Sequence, residues 1–119
     1  MQSYKDPIVW QKSIALITEL YSLAEKFPKA EIFGLTSQIR RAGVSIPANI
    51  SEGYARKHKA EYLRFLRIAF SSGAELETHL LIAKNLNFVK DGNILKANEL
   101  LDEVMRMLNK LISTLVAKP

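Results

Sequence analysis

Glu75 and His79 stand four residues apart, a spacing that places both on one face of a helix and offers half of a metal site. A di-iron bundle would require Glu-x-x-His on two helices, because that spacing aims both ligands inward at one metal pair. Here Ala55 precedes His58 by three and Leu76 precedes His79 by three, so neither histidine qualifies. The Glu75–His79 pair therefore reads as a hydrogen bond on a helix surface. No serine has a histidine and an acid at a supporting spacing, and no glycine-rich loop resembles a phosphate cradle. An enzyme using Asn49, Glu52, Glu75, Glu77 and His79 is the third-ranked reading, and no catalytic residue, metal or cofactor is expected.

The chemistry the chain does advertise is electrostatic. Between residues 40 and 67 the cations Arg40, Arg41, Arg56, Lys57, Lys59, Arg64 and Arg67 face only Glu52 and Glu61, and this accounts for the whole net charge of +5. A local surplus concentrates field on one part of the surface and favours a polyanionic partner more than uniform basicity would. Read as a stripe, these seven residues track a phosphate backbone with salt-sensitive, weakly sequence-specific affinity. Tyr54 and Tyr62 lie close to the densest cations and have the chemistry to stack on unpaired bases, although Tyr62 falls on a core seam.

These residues must be positioned by helices. Glycine and proline are sparse among 119 residues, 48% of them hydrophobic, and apolar positions recur at three- and four-residue steps. Asp6-Pro7 starts a first helix that runs to about Phe27 and stops at Pro28. A second starts near Glu31 and a third spans about Lys59 to Leu86. Asp91-Gly92-Asn93 makes the next break before a fourth helix with Ile94, Ala97, Leu101, Val104, Leu108, Leu111 and Leu115 on its seam. Short loops between such helices imply an all-α, antiparallel up-down-up-down four-helix bundle, one domain over residues 1–119. Arg56 to Lys59 then form the tip of a hairpin between the second and third helices, with His58 solvated in its turn.

On the third helix Tyr62, Leu63, Phe65, Leu66, Ile68, Ala69 and Phe70 cover nearly the whole circumference. A helix apolar on most sides must be covered on most sides. A homo-oligomer is therefore expected, with Phe65 and Ile68 at the subunit interface. On the second helix Pro47 deletes the amide that would bond the carbonyl of Gly43. Asn49, one turn from Ile46 and Gly53, reads as part of a buried polar core with Ser72 and Glu75 that satisfies the backbone groups freed by Pro47. The second helix is expected to continue through the proline with a kink.

The absence of cysteine removes disulfides and thiolate chemistry and fits a reducing, cytoplasmic address. No segment has signal-peptide character or is long and apolar enough to span a bilayer, so no membrane partner is expected.

The runs IRRAGVSIPANISEGYARK, from Ile39 to Lys57, and FLRIAFSSGAELETHLLIA, from Phe65 to Ala83, resemble the bacterial four-helix-bundle proteins first described as encoded by intervening sequences in large-subunit ribosomal RNA genes. The opening DPIVWQKS is similar to theirs as well. That resemblance implies the same bundle assembled as a ring-shaped homopentamer. In architecture alone the chain is also distantly similar to the accessory variability determinant protein of diversity-generating retroelements, a basic pentamer that binds nucleic acid and a reverse transcriptase. The expected function is a non-enzymatic oligomer that binds RNA or another nucleic acid. The alternative is an adaptor for a protein such as a reverse transcriptase, with nucleic-acid contact secondary.

Overall fold

The computed structural model describes residues 3–5 and 7–118. Four helices, α1 (Ile8–Ala24), α2 (Leu35–Ala55), α3 (Lys59–Asn85) and α4 (Asp91–Ala117), form an up-down-up-down bundle of 48 × 23 × 20 Å. Each helix packs on its neighbours in the order α1–α2–α3–α4–α1, most extensively α2 on α3, and among the described residues the Cα atoms of the diagonal pairs stay more than 8 Å apart. The core runs the length of the bundle: Leu16, Ile39, Ile46, Leu66, Leu76 and Leu108 are wholly buried.

The helix ends differ from the expected ones for local reasons. Asp6, the expected first cap, lies outside the described residues; Pro7 stands just before α1, its carbonyl accepting from the amides of Trp10 (3.0 Å) and Gln11 (3.3 Å). The α-helical part of α1 stops at Ala24, three residues short of Phe27. The amides of Lys26 and Phe27 bond instead to Leu23 and Ala24, because a residue before proline is pushed out of the helical region and the last turn tightens. Phe27 is nonetheless buried, with its ring centroid 5.9 Å from that of Phe88. A single 3-10 turn, Lys29–Glu31, occupies the place expected for the start of the second helix. Glu31 Oε1 accepts from the Leu35 amide at 3.1 Å, and a Cβ on Gly34 would sit 2.8 Å from that same oxygen, so glycine lets the carboxylate cap α2.

Asp91-Gly92-Asn93 is the first turn of α4 and not a break. The break lies earlier, at Asn87, which adopts φ 60°. The Phe88 amide donates to Ala83 O and the Asn87 amide to Lys84 O, both at 3.0 Å, which closes α3 with a left-handed cap that asparagine tolerates well. Asp91, in turn, places its carboxylate where the α4 macrodipole favours it.

Pro47 is buried inside a continuous α2. Gly43, one turn before it, admits the Leu20 side chain: a Cβ there would stand 2.6 Å from Leu20 Cδ1. The polar residues around the proline tie three helices together. Asn49 Nδ2 donates to Ser45 O (2.7 Å) and Ser45 Oγ (2.9 Å), and Ser45 Oγ pairs with Ser72 Oγ of α3 at 2.8 Å. On the other side Ser51 Oγ donates to Pro47 O and accepts from Trp10 Nε1 of α1, both at 2.9 Å.

Two details of the expected polar core change. The carbonyl that Asn49 reaches is that of Ser45, four residues back along the same helix face, not that of Gly43. Glu75 takes no part; it is exposed and faces His79 at 3.1 Å. Replacing Asn49 by leucine keeps approximate volume and removes both donors, so chemical denaturation should show a loss of about 1 to 3 kcal/mol. A parent-like unfolding midpoint would mean that the Ser45–Ser72 bridge holds α2 to α3 without it.

Candidate nucleic-acid interface

The α2–α3 connection takes three residues, Arg56, Lys57 and His58. The amides of Arg56 and Lys57 bond to Gly53 O (3.3 Å) and Tyr54 O (3.1 Å), and Lys57 adopts φ 54°, a conformation that costs an L-residue roughly 1 to 2 kcal/mol. Glycine is the usual residue at such a position. A lysine there projects a charge from the very tip of the hairpin, and its side chain is exposed with no ion pair among the described residues.

The two helices close on this turn because Gly53 is buried against α3, where a Cβ would lie 2.6 Å from Phe65 Cβ. Phe65 is only 9% exposed, and the guanidinium groups of Arg56 and Arg64 lie over its ring at 5.2 and 4.4 Å from the centroid. Its apolar surface is thus covered within the chain by cations. Ile68, 37% exposed, remains at the surface of α3 beside Arg64, Arg67 and Ser71, which line a shallow groove. Arg67 has no ion pair among the described residues.

Glu61 organises the arginines. It receives Arg64 Nε at 2.9 Å and lies 3.9 Å from Arg56 Nη1, while Arg56 Nη2 also bonds Glu52 at 3.0 Å. The hydrogen bond from Arg64 holds the Glu61 carboxyl below the ordinary carboxylate value, helped by the charges of Arg64, Arg56 and His58 and opposed by desolvation. The same bond raises the already high Arg64 value. Because its folded value is depressed, Glu61 contributes to stability above its ordinary titration range, and the contribution is lost as pH falls through the lowered value. Such exposed pairs are weak and exchange readily for phosphate contacts. Glu61→Gln should therefore tighten RNA binding roughly twofold at low salt, by removing one opposing charge from the phosphate path. Weaker binding in a fluorescence titration would instead show that Glu61 holds the arginines in their working positions.

Antiparallel topology brings further cations to the same end. The Lys59 ammonium donates to Lys118 O at the end of α4, where a cation also complements the macrodipole. Lys118 therefore stands beside the hairpin tip. Lys5 arrives with the start of the chain: Gln11 Nε2 binds its carbonyl at 3.0 Å, its ammonium lies over the Tyr4 ring, and Tyr4 packs edge-on against Trp10, which is bonded to Ser51. Lys5 and Lys118 carry no motif, and only the fold connects them to Arg56–Lys59. A concavity of about 430 Å³ at this end is lined by Tyr54, Lys57, Lys59, Tyr62 and Leu115. The Tyr54 and Tyr62 rings meet edge-on at 5.8 Å, but Tyr62 is buried, which also pushes its hydroxyl above the ordinary value. Its ring is therefore closed to base stacking, while Tyr54 is half-buried.

Arg40 and Arg41 do not join this group. They lie 16 and 15 residues before Arg56, some 24 Å down α2. Arg40 stacks on Tyr21 of α1 at 4.8 Å, and Arg41 donates to Gln38 at 2.7 Å. The seven cations thus form two groups, one at the hairpin tip and along α3, the other on the α1–α2 face.

Glu75 and His79 bond each other at 3.1 Å, and no cluster of three or more metal-ligating side chains occurs among the described residues. No helix of the described residues is long and apolar enough to cross a membrane.

Fold and surface together define a small all-α bundle with a cationic end. The chain belongs to the 23S rRNA-intervening sequence protein family, whose model matches residues 5–110. It is similar in structure to a protein of unknown function from the S23 ribosomal protein family of Bacteroides thetaiotaomicron VPI-5482, with 25% sequence identity, a TM-score of 0.83, and coverage of 92% of this chain and 98% of that one. No curated protein matches the chain.

Proposed function

We propose that this protein is a non-enzymatic, homo-oligomeric RNA-binding bundle acting in the cytoplasm, its nucleic-acid surface the cationic end formed by Arg56, Lys57, Lys59 and Arg64, extended by Arg67 along α3. Five subunits is the number that the family resemblance suggests. The observation that carries the reading is the convergence on one end of cations from three parts of the chain, the α2–α3 turn, Lys5 and Lys118, against Glu52 and Glu61 among the described residues. Phosphate backbones are recognised by such density without base-specific geometry. The family's description, which refers to 23S rRNA, agrees with an RNA partner.

The adaptor reading has one observation in its favour, the side chain of Phe33, 94% exposed on the α1–α2 side. Purification separates the two readings. An RNA-binding protein isolated at low salt carries nucleic acid that absorbs at 260 nm and is shed at high salt, whereas an adaptor emerges free of nucleic acid at both.

A further inference from the structure

At the end of the bundle that carries the α2–α3 turn, the core is not fully closed. The diagonal helices α2 and α4 stay more than 8 Å apart at their Cα atoms, and the concavity of about 430 Å³ lies between Tyr54 on α2 and Leu115 on α4. Tyr62 of α3 forms a further wall, and the exposed Lys57, His58 and Lys59 line the side formed by the turn. The bond from the Lys59 ammonium to Lys118 O ties the end of α4 to the turn and so bounds the hollow. Its volume falls within the range of small-ligand sites.

The lining is divided in its chemistry. Two phenol rings and a leucine make one part apolar and largely flat. The other part is cationic: Lys57 has no ion pair among the described residues, and no side chain caps the start of α3 at His58, so the positive end of the helix dipole adds to the lysines. Between the two stands an unmet polar group. Tyr62 is 8% exposed, and its hydroxyl is shielded from solvent without a hydrogen-bond partner among the described residues. Buried hydroxyls are normally paired, so one left over in a cavity wall points to a partner from outside the chain. The burial that shields it also strengthens a hydrogen bond made there. A free phosphate would leave the apolar walls unused, and an acyl chain would leave the hydroxyl unpaired. A flat ring with polar edges and an attached phosphate satisfies all three parts.

We infer that this concavity takes one unpaired nucleotide of a bound RNA strand, its base between Tyr54 and Leu115 with an edge on the Tyr62 hydroxyl and its phosphate at Lys57 and Lys59. The inference rests on the RNA-binding reading and adds to it a contact with a base. Every base has a π face, so such a pocket adds affinity without demanding a sequence. A base that is already unpaired enters at little cost, which favours single strands over duplexes.

The test is a fluorescence anisotropy titration at 50 mM salt with two labelled strands of equal length and charge, one a mixed-sequence RNA and the other abasic throughout. The parent should bind the base-bearing strand roughly tenfold more tightly. Leu115→Trp fills the concavity and keeps every cation, so it should bring the two affinities together and leave their salt dependence unchanged. Tyr62→Phe removes a buried hydroxyl that has no partner in the chain. Its thermal midpoint should equal or exceed that of the parent, while its affinity falls about threefold for the base-bearing strand and stays unchanged for the abasic one. Circular dichroism and thermal melting establish that both variants are folded. Failure of the parent to bind either strand rejects the RNA-binding reading and this inference with it. Equal parental affinity for the two strands, or an undiminished preference in either folded variant, overturns the inference and leaves the phosphate-backbone reading standing.

Discussion

Reversing Arg56, Lys57 and Lys59 to glutamate is expected to weaken RNA binding roughly a hundredfold or more at 0.1 M salt and to flatten the slope of log affinity against log salt by about 2 to 3. Each phosphate contact on a single strand contributes roughly 0.7 to that slope, and each reversal adds repulsion to the lost contact. The three side chains are exposed, so the bundle core is untouched. Two structural costs are foreseeable, each about 1 kcal/mol or less: a carboxylate at residue 59 faces the α4 C-terminal carbonyl that Lys59 now binds, and one at residue 56 uncovers the Phe65 ring and stands beside Glu52 and Glu61. The triple variant should therefore remain folded with the parental mass. Unchanged affinity in a folded triple variant would move the interface elsewhere, first to Arg64 and Arg67 on α3.

The second large effect is on stability. Gly53→Ala should cost about 2 kcal/mol or more, enough to lower the melting midpoint by several degrees. The new Cβ meets Phe65 Cβ at 2.6 Å, Tyr62 Cδ1 at 3.2 Å and Tyr62 O at 3.3 Å. Neither a Cβ nor a backbone carbonyl can swing aside, so α2 and α3 must separate just below the hairpin tip. Gly73→Ala is the control. Its Cβ meets the thioether of Met105, a flexible side chain that can rotate away, and alanine's helix propensity returns about 1 kcal/mol. That variant should lie within about 1 kcal/mol of the parent. Equal midpoints for the two would show that the α2–α3 approach at Gly53 is looser than its geometry implies.

Much of this architecture was legible in the sequence because helix periodicity is a strong signal over long segments. The seam residues Leu66, Ala69, Leu76, Leu80 and Ala83 of α3 are buried. Of the seam residues of α4, Ile94, Ala97, Leu101, Val104 and Leu108 are buried, and Leu111 and Leu115 are half-buried against the same core near the end of the helix. Helix ends were harder, because they are decided by single caps. Asp91-Gly92-Asn93 carries residues typical of a turn yet opens α4, while the left-handed Asn87 four residues earlier makes the break. Likewise the second helix waits for Gly34, since the Glu31 carboxylate caps from outside it.

The candidate site was only half legible. The cationic tip from Arg56 to Lys59 is contiguous and could be read directly. Lys5 and Lys118 could not, since they reach the tip only through the antiparallel course of α1 and α4. That Arg40 and Arg41 stand about four turns down the same helix could be read from residue spacing, but the side they face could not, and Arg40 turns to Tyr21 of α1. Phe65 illustrates the limit of counting apolar residues around a helix, because Arg56 and Arg64 lay their guanidinium groups over a ring that counting alone assigned to a neighbouring subunit.

The central claim is that the cationic end binds a phosphate backbone, and a fluorescence anisotropy titration of the intact protein against a labelled single-stranded RNA of mixed sequence tests it most directly. Performed at 50 and 200 mM salt, and repeated with a second, unrelated sequence, it should show firm binding at the lower salt. Affinity should fall by roughly tenfold or more at the higher one and differ little between the sequences. Absence of detectable binding at 50 mM salt would contradict the account.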